Sequence, residues 1–532
     1  MNGTTAFDYI VVGGGSSGAV VAARLGERGH STLLLEAGPA QRHHWMDVPI
    51  GFARVLQNPK YVWNLETEPE PHLGGRKISA LRGKALGGSS AVNGLIYVRG
   101  APSDYDLWTR LGAEGWSYED VLPYFRRAER CEQGEDEFHG GAGPLGVERA
   151  RWRNELADAS IAAAEALGLP RSEDFCRRDL AGAGYYQMTT WNGRRSCTAR
   201  AYLSGVRNQP SLSVVTGALV VRIELSGREA TGVTYELGGE TRRAVARREI
   251  VLSAGSFFTP HLLQLSGIGP ASLLRQHGIP VLHDLPGVGE NLMDHITVKR
   301  SYTTSSRATF NAMMSNVASQ GLAGLRYLTT RRGPLSVGAA LAGGYARTRP
   351  DLSDPDIQYF YMPFEAGNYW GKLPPASSFQ LACYVNRPES RGHVRMQSPD
   401  PHQPPRIVAN YFSTEADLRT AIEGFRFLGR LGMADALKPH RVEELHPRLG
   451  KESDEAIIRH IRETATTGYH HVGTCRMGHD ELAVVDPQLR VRGLSRLRVA
   501  DGSVMPSIIS GNTNSVCIMI GERCADLLQQ SR

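Results

Sequence analysis

The chain has 532 residues, a formal net charge of +6, 41% hydrophobic and 21% charged residues, which asks for two or more globular domains. It has no run of about 18 apolar residues able to span a bilayer, and its arginines are interleaved with Asp and Glu. A membrane span and a nucleic-acid footprint are therefore excluded. Seven cysteines, at 131, 176, 197, 383, 475, 517 and 524, form no CxxC pair, so the expectation is no metal site and a reducing cytoplasm.

The opening "MNGTTAFDYIVVGGG" lacks a basic region followed by an apolar one and a cleavage site, and its short apolar run reads as a strand rather than a secretion signal. Phe7 to Val12 predict that strand. A glycine turn, a helix carrying Val20, Ala23 and Leu25, and a second strand in "STLLLEAG" complete a βαβ unit. In the turn, Gly13 permits a tight bend, Gly15 lets a pyrophosphate approach the backbone and Gly18 lets helix and strand pack closely. Gly14 and Ser17 belong to the same loop, whose helix N-terminus faces the phosphate charge. Glu36, about 20 residues on and followed by Ala37, stands where a carboxylate accepts hydrogen bonds from ribose hydroxyls. A glutamate there disfavours a 2′-phosphate and leaves FAD and NAD.

"RGKALGGSSAVNGLIYVRGAPSDYD", 82–106, supplies small residues and backbone donors where a flat ring system can lie close to the chain. "GSFFTPHLLQLSGIG", 255–269, sets a second glycine loop after an apolar helix. An NAD domain needs neither. The cluster "RRAVARR", 242–248, reads as a solvated strand edge. Dinucleotide-type texture returns near 211–300 and again toward the C-terminus, so two interleaved domains are expected. Segments 351–364 and 379–398 alternate and predict antiparallel strands. Tyr359 and Tyr361 share one strand face, and Trp370 follows; together they read as an aromatic substrate wall or as core.

"TTGYHHVGTCRMG", 466–478, sets His470 beside His471. No paired carboxylates, GxSxG elbow or metal triad competes with them for chemistry. Taken alone, either histidine could equally be a packing or surface residue.

The two glycine-rich stretches resemble, position for position, the two signatures of the glucose-methanol-choline (GMC) oxidoreductases. "LPGVGENLMDH" (285–295), "RPESRGHVRMQSPDP" (387–401), "YHHVGTCRMG" and the C-terminal "LRVADGSVMPSIISGNTNSVCIMIGERCADLL" are similar to further family landmarks in family order. The resemblance covers essentially the whole chain. It implies an α/β protein whose Rossmann-like FAD-binding domain (1–150, 211–300 and 461–532) is interleaved with a substrate domain built on an antiparallel sheet (151–210 and 301–460).

The same resemblance implies FAD with its pyrophosphate at Gly13–Gly18, its ribose on Glu36 and its adenine near Val220. Gly88, Asn93, Gly94, Leu95 and Ile96 would line the isoalloxazine, and Tyr469, Asp501, Gly502, Asn512 and Thr513 would contact the cofactor from the C-terminal side. Some members attach the flavin through a histidine at the position of Val92. Valine has no nucleophile, so non-covalent FAD is expected.

Tyr469-His470 matches the family's aromatic–histidine pair, while His471 stands where the family has proline, alanine or glycine; it either turns away into the domain packing or narrows the pocket. Asn512 matches the second catalytic position. The implied activity is oxidation of a primary alcohol, aryl, furanic or similar, to the aldehyde, with His470 accepting the hydroxyl proton as hydride moves to flavin N5 and Asn512 holding the oxygen. O2 or another acceptor would take the electrons. The alternatives are a choline-type dehydrogenase and a hydroxynitrile lyase with a structural FAD.

Overall fold

The computed structural model describes residues 5–365, 376–446 and 453–530. Two seven-stranded sheets organise it. In the first, Thr5–Val12 lies between Thr32–Glu36 and Glu240–Leu252, parallel to both. Leu212–Thr216 extends the parallel half beyond Thr32–Glu36, and Leu497–Val499 pairs in parallel with Glu240–Leu252. Tyr9–Val12 and all of Thr32–Glu36 are buried, the continuous apolar run of strands covered on both faces. The antiparallel strands Ala218–Ser226 and Glu229–Leu237 finish this sheet. Arg242, Arg243, Arg247 and Arg248 are exposed on Glu240–Leu252, but that strand is paired on both sides, so the expected strand edge is corrected to solvated side chains on an internal strand.

The helix Gly18–Glu27 packs on the C-terminal helix Asn514–Gln530. Their lock is Glu522, a fully buried carboxylate that accepts hydrogen bonds from Arg24 at 2.8 Å, Arg127 at 2.9 Å and the Tyr202 hydroxyl at 2.8 Å. Burying a carboxylate is costly unless cations and hydrogen bonds surround it. That requirement ties together pieces of chain up to 498 residues apart.

The second sheet is antiparallel, in the order Arg441–His446, Ile296–Thr304, Ser378–Val385, Ile357–Met362, Ala342–Ala346, Gly182–Tyr185, with Thr466–Thr467 pairing Ile296–Thr304. Two sequence expectations meet this sheet. Ile296–Thr304, whose first residues fall inside the expected FAD segment 211–300, pairs wholly within this sheet; the partner that claims the strand lies some 80 residues downstream, beyond local reading. Of 379–398, only the part up to Val385 joins the sheet, and His393–Arg395 pairs separately with Arg406–Val408.

The helix Glu415–Met433 covers one face of this sheet, burying Phe425, Phe427 and Leu428. Tyr359 packs edge-on against Phe427 at 5.2 Å, and Tyr361 is fully buried in the same core. Phe360 and Met362 face the other way, into a large cavity. The aromatic wall expected of Tyr359 and Tyr361 is thus corrected: the right strand was read with the wrong face toward the cavity. Trp370 lies outside the described residues. Among the described residues no helix is long and apolar enough to cross a membrane.

Candidate active site

A cavity of about 1320 Å³ runs between the two sheets. At its first end the glycines divide their work. A Cβ on Gly13, at φ +97°, would stand 2.5 Å from the Ser253 carbonyl oxygen, and one on Gly18 would stand 1.9 Å from that of Gly13. Both serve the turn, and neither Gly14 nor Gly18 reaches the cavity. A Cβ on Gly15 would meet nothing nearer than 3.9 Å. The protein itself leaves that space open beside the N-terminus of Gly18–Glu27, where an anion is favoured.

Glu36 lines the cavity with Ala37. Its two oxygens accept the N–H groups of Gly14 at 2.8 Å and Gly38 at 2.7 Å, leaving lone pairs for ribose hydroxyls. Burial raises its carboxyl to about 7 against those two donors. Ser17 also lines the wall but gives its hydroxyl to the Cys517 carbonyl at 2.6 Å. Val220 sits farther along the cavity, near Gly217 and Gly238. The donor set and the open space fit the nucleotide half of FAD.

Gly88 and the segment Asn93–Ile96 border the middle of the cavity. The Asn93 side-chain oxygen is turned to Arg195 at 2.7 Å and to the Leu95 N–H at 3.2 Å, so it braces the segment from behind. Leu95, at φ +73°, buries its side chain in the core of the second sheet. Asp501 accepts from the Gly255 N–H (2.8 Å), the Thr259 hydroxyl (2.6 Å) and the Ser503 N–H (2.8 Å); it holds the loop in which Gly502 meets the cavity. Asn512 and Thr513, just ahead of the C-terminal helix, close this wall.

At the far end the backbone of Tyr469 adopts φ +63°, fixed by its N–H on the Thr467 hydroxyl at 2.7 Å. The His470 N–H donates to Asp294 at 2.7 Å. That turn points the His470 ring at two partners: His295, Nδ1 to Nδ1 at 2.9 Å, and Asn512, whose Nδ2 lies 3.0 Å from His470 Nε2. His295 Nε2 stands 2.9 Å from the Asn386 carbonyl, which can only accept, so that nitrogen carries the proton. His295 Nδ1 is then bare and accepts from His470 Nδ1–H. His470 is left with its lone pair on Nε2.

Burial, with His295 and Arg82 nearby, holds His470 well below the ordinary imidazole value; burial takes His295 to about 3 against the Asn386 and Ile509 carbonyls. Both rings are neutral, as the tautomer argument needs. Asn512 is oriented in turn: its oxygen accepts from Gln358 at 3.4 Å, and Gln358 accepts from the Tyr384 hydroxyl. The Tyr384 ring stacks on His295 with centroids 4.2 Å apart.

His471 hydrogen-bonds into the domain packing. Although it borders the cavity, its ring nitrogens are taken by Arg82 and by the Tyr411 hydroxyl at 3.2 Å, with Asp294 at 3.4 Å. Its ring lies edge-on to Phe257 at 4.8 Å. Burial pushes Asp294 up to about 6 against the hydrogen bonds of Thr467, Tyr411 and the His470 N–H. The sequence reading missed His295, Asp294, Gln358 and Tyr384. The first two stand in the quoted stretch "LPGVGENLMDH", and no local signal marks the others.

Among the described residues Glu129, Cys131 and His139 have ligand atoms close enough for a metal. Arg99 at 2.7 Å and the Gly140 N–H occupy Glu129, and Asp174 at 2.9 Å takes the second His139 nitrogen. Burial opposes a charge on His139, yet Asp174, Cys131 and Glu129 outweigh it and raise it to about 11. The cluster is a protonated ion-pair network.

A glycine turn built for a dinucleotide, joined by one cavity to a neutral histidine beside an amide, defines a flavin-type oxidoreductase. Family models bear this out: GMC oxidoreductase matches over residues 7–297 and again over 388–521. Oxygen-dependent choline dehydrogenases from Pseudomonas putida and Photobacterium profundum are 42% and 40% identical, each over 98% of this chain and 94% and 93% of their own length. Pyridoxine 4-oxidase from Mesorbium loti superposes with a TM-score of 0.90 at 29% identity, over 99% of this chain and all of its own. Formate oxidase gives 0.93 at 28%, over 99% of both chains.

The chain belongs to the GMC oxidoreductase family. It is an FAD-dependent oxidoreductase acting on alcohols.

Proposed function

We propose that the chain oxidises a primary alcohol carrying a flat, uncharged aromatic or furanic body to its aldehyde, with His470 as base and Asn512 as oxygen holder. The observation that carries this reading is the placement of the unprotonated His470 Nε2 3.0 Å from Asn512 Nδ2, from which it accepts, at the cavity's end. An alcohol oxygen seated in front of both atoms displaces their mutual hydrogen bond, accepts from the amide and presents its proton to the imidazole. FAD, when bound, supplies the hydride acceptor. Gln358 keeps the amide's N–H side toward the substrate, and His295 keeps the proton of His470 on the far nitrogen.

The substrate's body would lie on Phe360, Met362, Phe364 and Tyr384. Choline is the second reading, favoured by the names of the relatives. Lys299, the one charged side chain among the described residues that the second sheet turns to the cavity, has the Glu365 carboxylate beside it, and the same Phe360, Phe364 and Tyr384 faces suit a trimethylammonium group, so the substrate panel decides between the two readings. In this reading the two sheets are the cores of two interleaved domains, and O2 or another acceptor reoxidises the flavin.

Anaerobic mixing tests it. Benzylic or furanic alcohols should bleach the flavin faster than choline; faster bleaching by choline would reverse the assignment, and no bleaching by any alcohol would favour a lyase.

A further inference from the structure

The helix Val317–Thr330 turns its apolar side outward. Only Ala323 and Tyr327 are buried, whereas Val317, Leu322, Leu325 and Leu328 are 83%, 70%, 60% and 67% exposed. At about 100° per residue these four fall on the face opposite Ala323 and Tyr327. Gly321 and Gly324 complete that face, with open space where a Cβ would stand. Met314, at the end of the preceding helix Phe310–Met314, adds a further exposed apolar side chain. Scattered apolar residues are ordinary on a surface; a continuous stripe on a helix marks an interaction site.

The surrounding charge says which kind. Residues 301–340 contain no Asp or Glu and four arginines, at 307, 326, 331 and 332. Arg307, Arg326 and Arg332 are exposed, and Arg331 lies over the Tyr327 ring at 5.0 Å. A second copy of this chain would bring the same arginines against these, with no carboxylate from this region to pair them. Acyl chains under anionic headgroups answer both the stripe and the cations.

We propose that Val317–Thr330 is an interfacial helix that docks the protein on an anionic lipid surface, its leucines at the acyl boundary and its arginines among the headgroups. The docking face connects to the site. The Phe310 N–H donates to the Pro363 carbonyl at 2.8 Å, and the Phe310 ring meets that of Phe364 edge-on at 5.7 Å. Phe364 and the neighbouring Met362 line the cavity. A docked molecule would therefore hold one cavity wall next to the lipid, where lipophilic alcohols or electron acceptors concentrate.

The test is co-sedimentation of the FAD-loaded full chain with vesicles of phosphatidylcholine alone or mixed with phosphatidylglycerol. Binding should be confined largely to the mixed vesicles and should weaken as salt screens the headgroups. Leu325→Glu with Leu328→Glu should lower the affinity by about 10-fold or more, with FAD content and melting temperature unchanged because both side chains point to solvent. Arg326→Gln with Arg332→Gln should erase the preference for phosphatidylglycerol while leaving the stripe intact. Failure to sediment with either vesicle overturns the proposal, as does binding indifferent to both variants. A dimer in sedimentation equilibrium that the leucine variant dissociates, without lipid binding, would make the stripe a contact between copies instead.

Discussion

His295 and His470 meet through their Nδ1 atoms at 2.9 Å, with ring planes crossing at 85°. Only one of two such nitrogens can carry a proton in a neutral pair. The Asn386 carbonyl decides which, because it claims the Nε2 proton of His295. The tautomer of His470 is therefore set by the residue that follows the strand Ser378–Val385 of the second sheet, while the residue that uses it sits on the loop after Thr466–Thr467.

Replacing His470 with alanine removes the proton acceptor. The rate of anaerobic flavin reduction should fall by about 10²–10⁴-fold, with FAD content near normal because the cofactor is held mainly elsewhere. Asn512→Ala should lose less, since the acceptor stays. His471→Ala should chiefly lower the melting temperature, because it strips partners from the buried Arg82 and Asp294. Stopped-flow rates and thermal melts of the three variants check this, and a crippled His471→Ala beside a fast His470→Ala would reverse the assignment.

His295→Phe keeps a ring against Tyr384 but deletes the acceptor for His470 Nδ1–H. Flavin reduction should slow by roughly 10-fold, the worth of one hydrogen bond near 1.4 kcal/mol. A variant as fast as the parent would show that the tautomer is fixed some other way.

The base is active when neutral, and burial holds His470 well below the usual imidazole range. The acid limb of kcat/KM, which reports the free enzyme, should therefore fall below the ordinary histidine value of about 6.5. A plateau reached only above pH 7 would contradict this environment.

Glu36 has a folded-state carboxyl raised to about 7 from an ordinary 4.5 by burial. Between those values the folded apoprotein binds more protons than the unfolded chain, so its stability should fall as pH rises through 7, by about 3 kcal/mol in all. Ribose hydroxyls donating to the carboxylate should flatten that slope in the FAD-loaded protein. Melting temperatures of apo and loaded protein from pH 5 to 8 test it; Glu36→Gln should also flatten the apo curve.

Val92 stands buried beside Asn93 and offers no nucleophile. The yellow protein should release its FAD into the supernatant on acid precipitation; flavin retained in the pellet would reveal a covalent link through some other residue.

Much of this was legible locally. Gly13, Gly15, Gly18 and Glu36 sit within a single βαβ unit, where turn geometry and helix polarity depend on near neighbours. Tyr469-His470 and Asn512 each lie in one short loop that resembles its family counterpart. Strand alternation likewise says that Tyr359 and Tyr361 share a face, because side chains repeat every two residues. It says nothing of which face meets the cavity. That was decided by the helix Glu415–Met433, which packs on the tyrosine side and leaves Phe360 and Met362 to the site. His295 reaches His470 across 175 residues, and Gln358 reaches Asn512 across 154. The first contact exists only once Thr466–Thr467 has paired with Ile296–Thr304 within the second sheet, and the second only once that sheet has met the loop ahead of the C-terminal helix, so the groups that set the proton on His470 and the orientation of Asn512 belong to the tertiary structure alone.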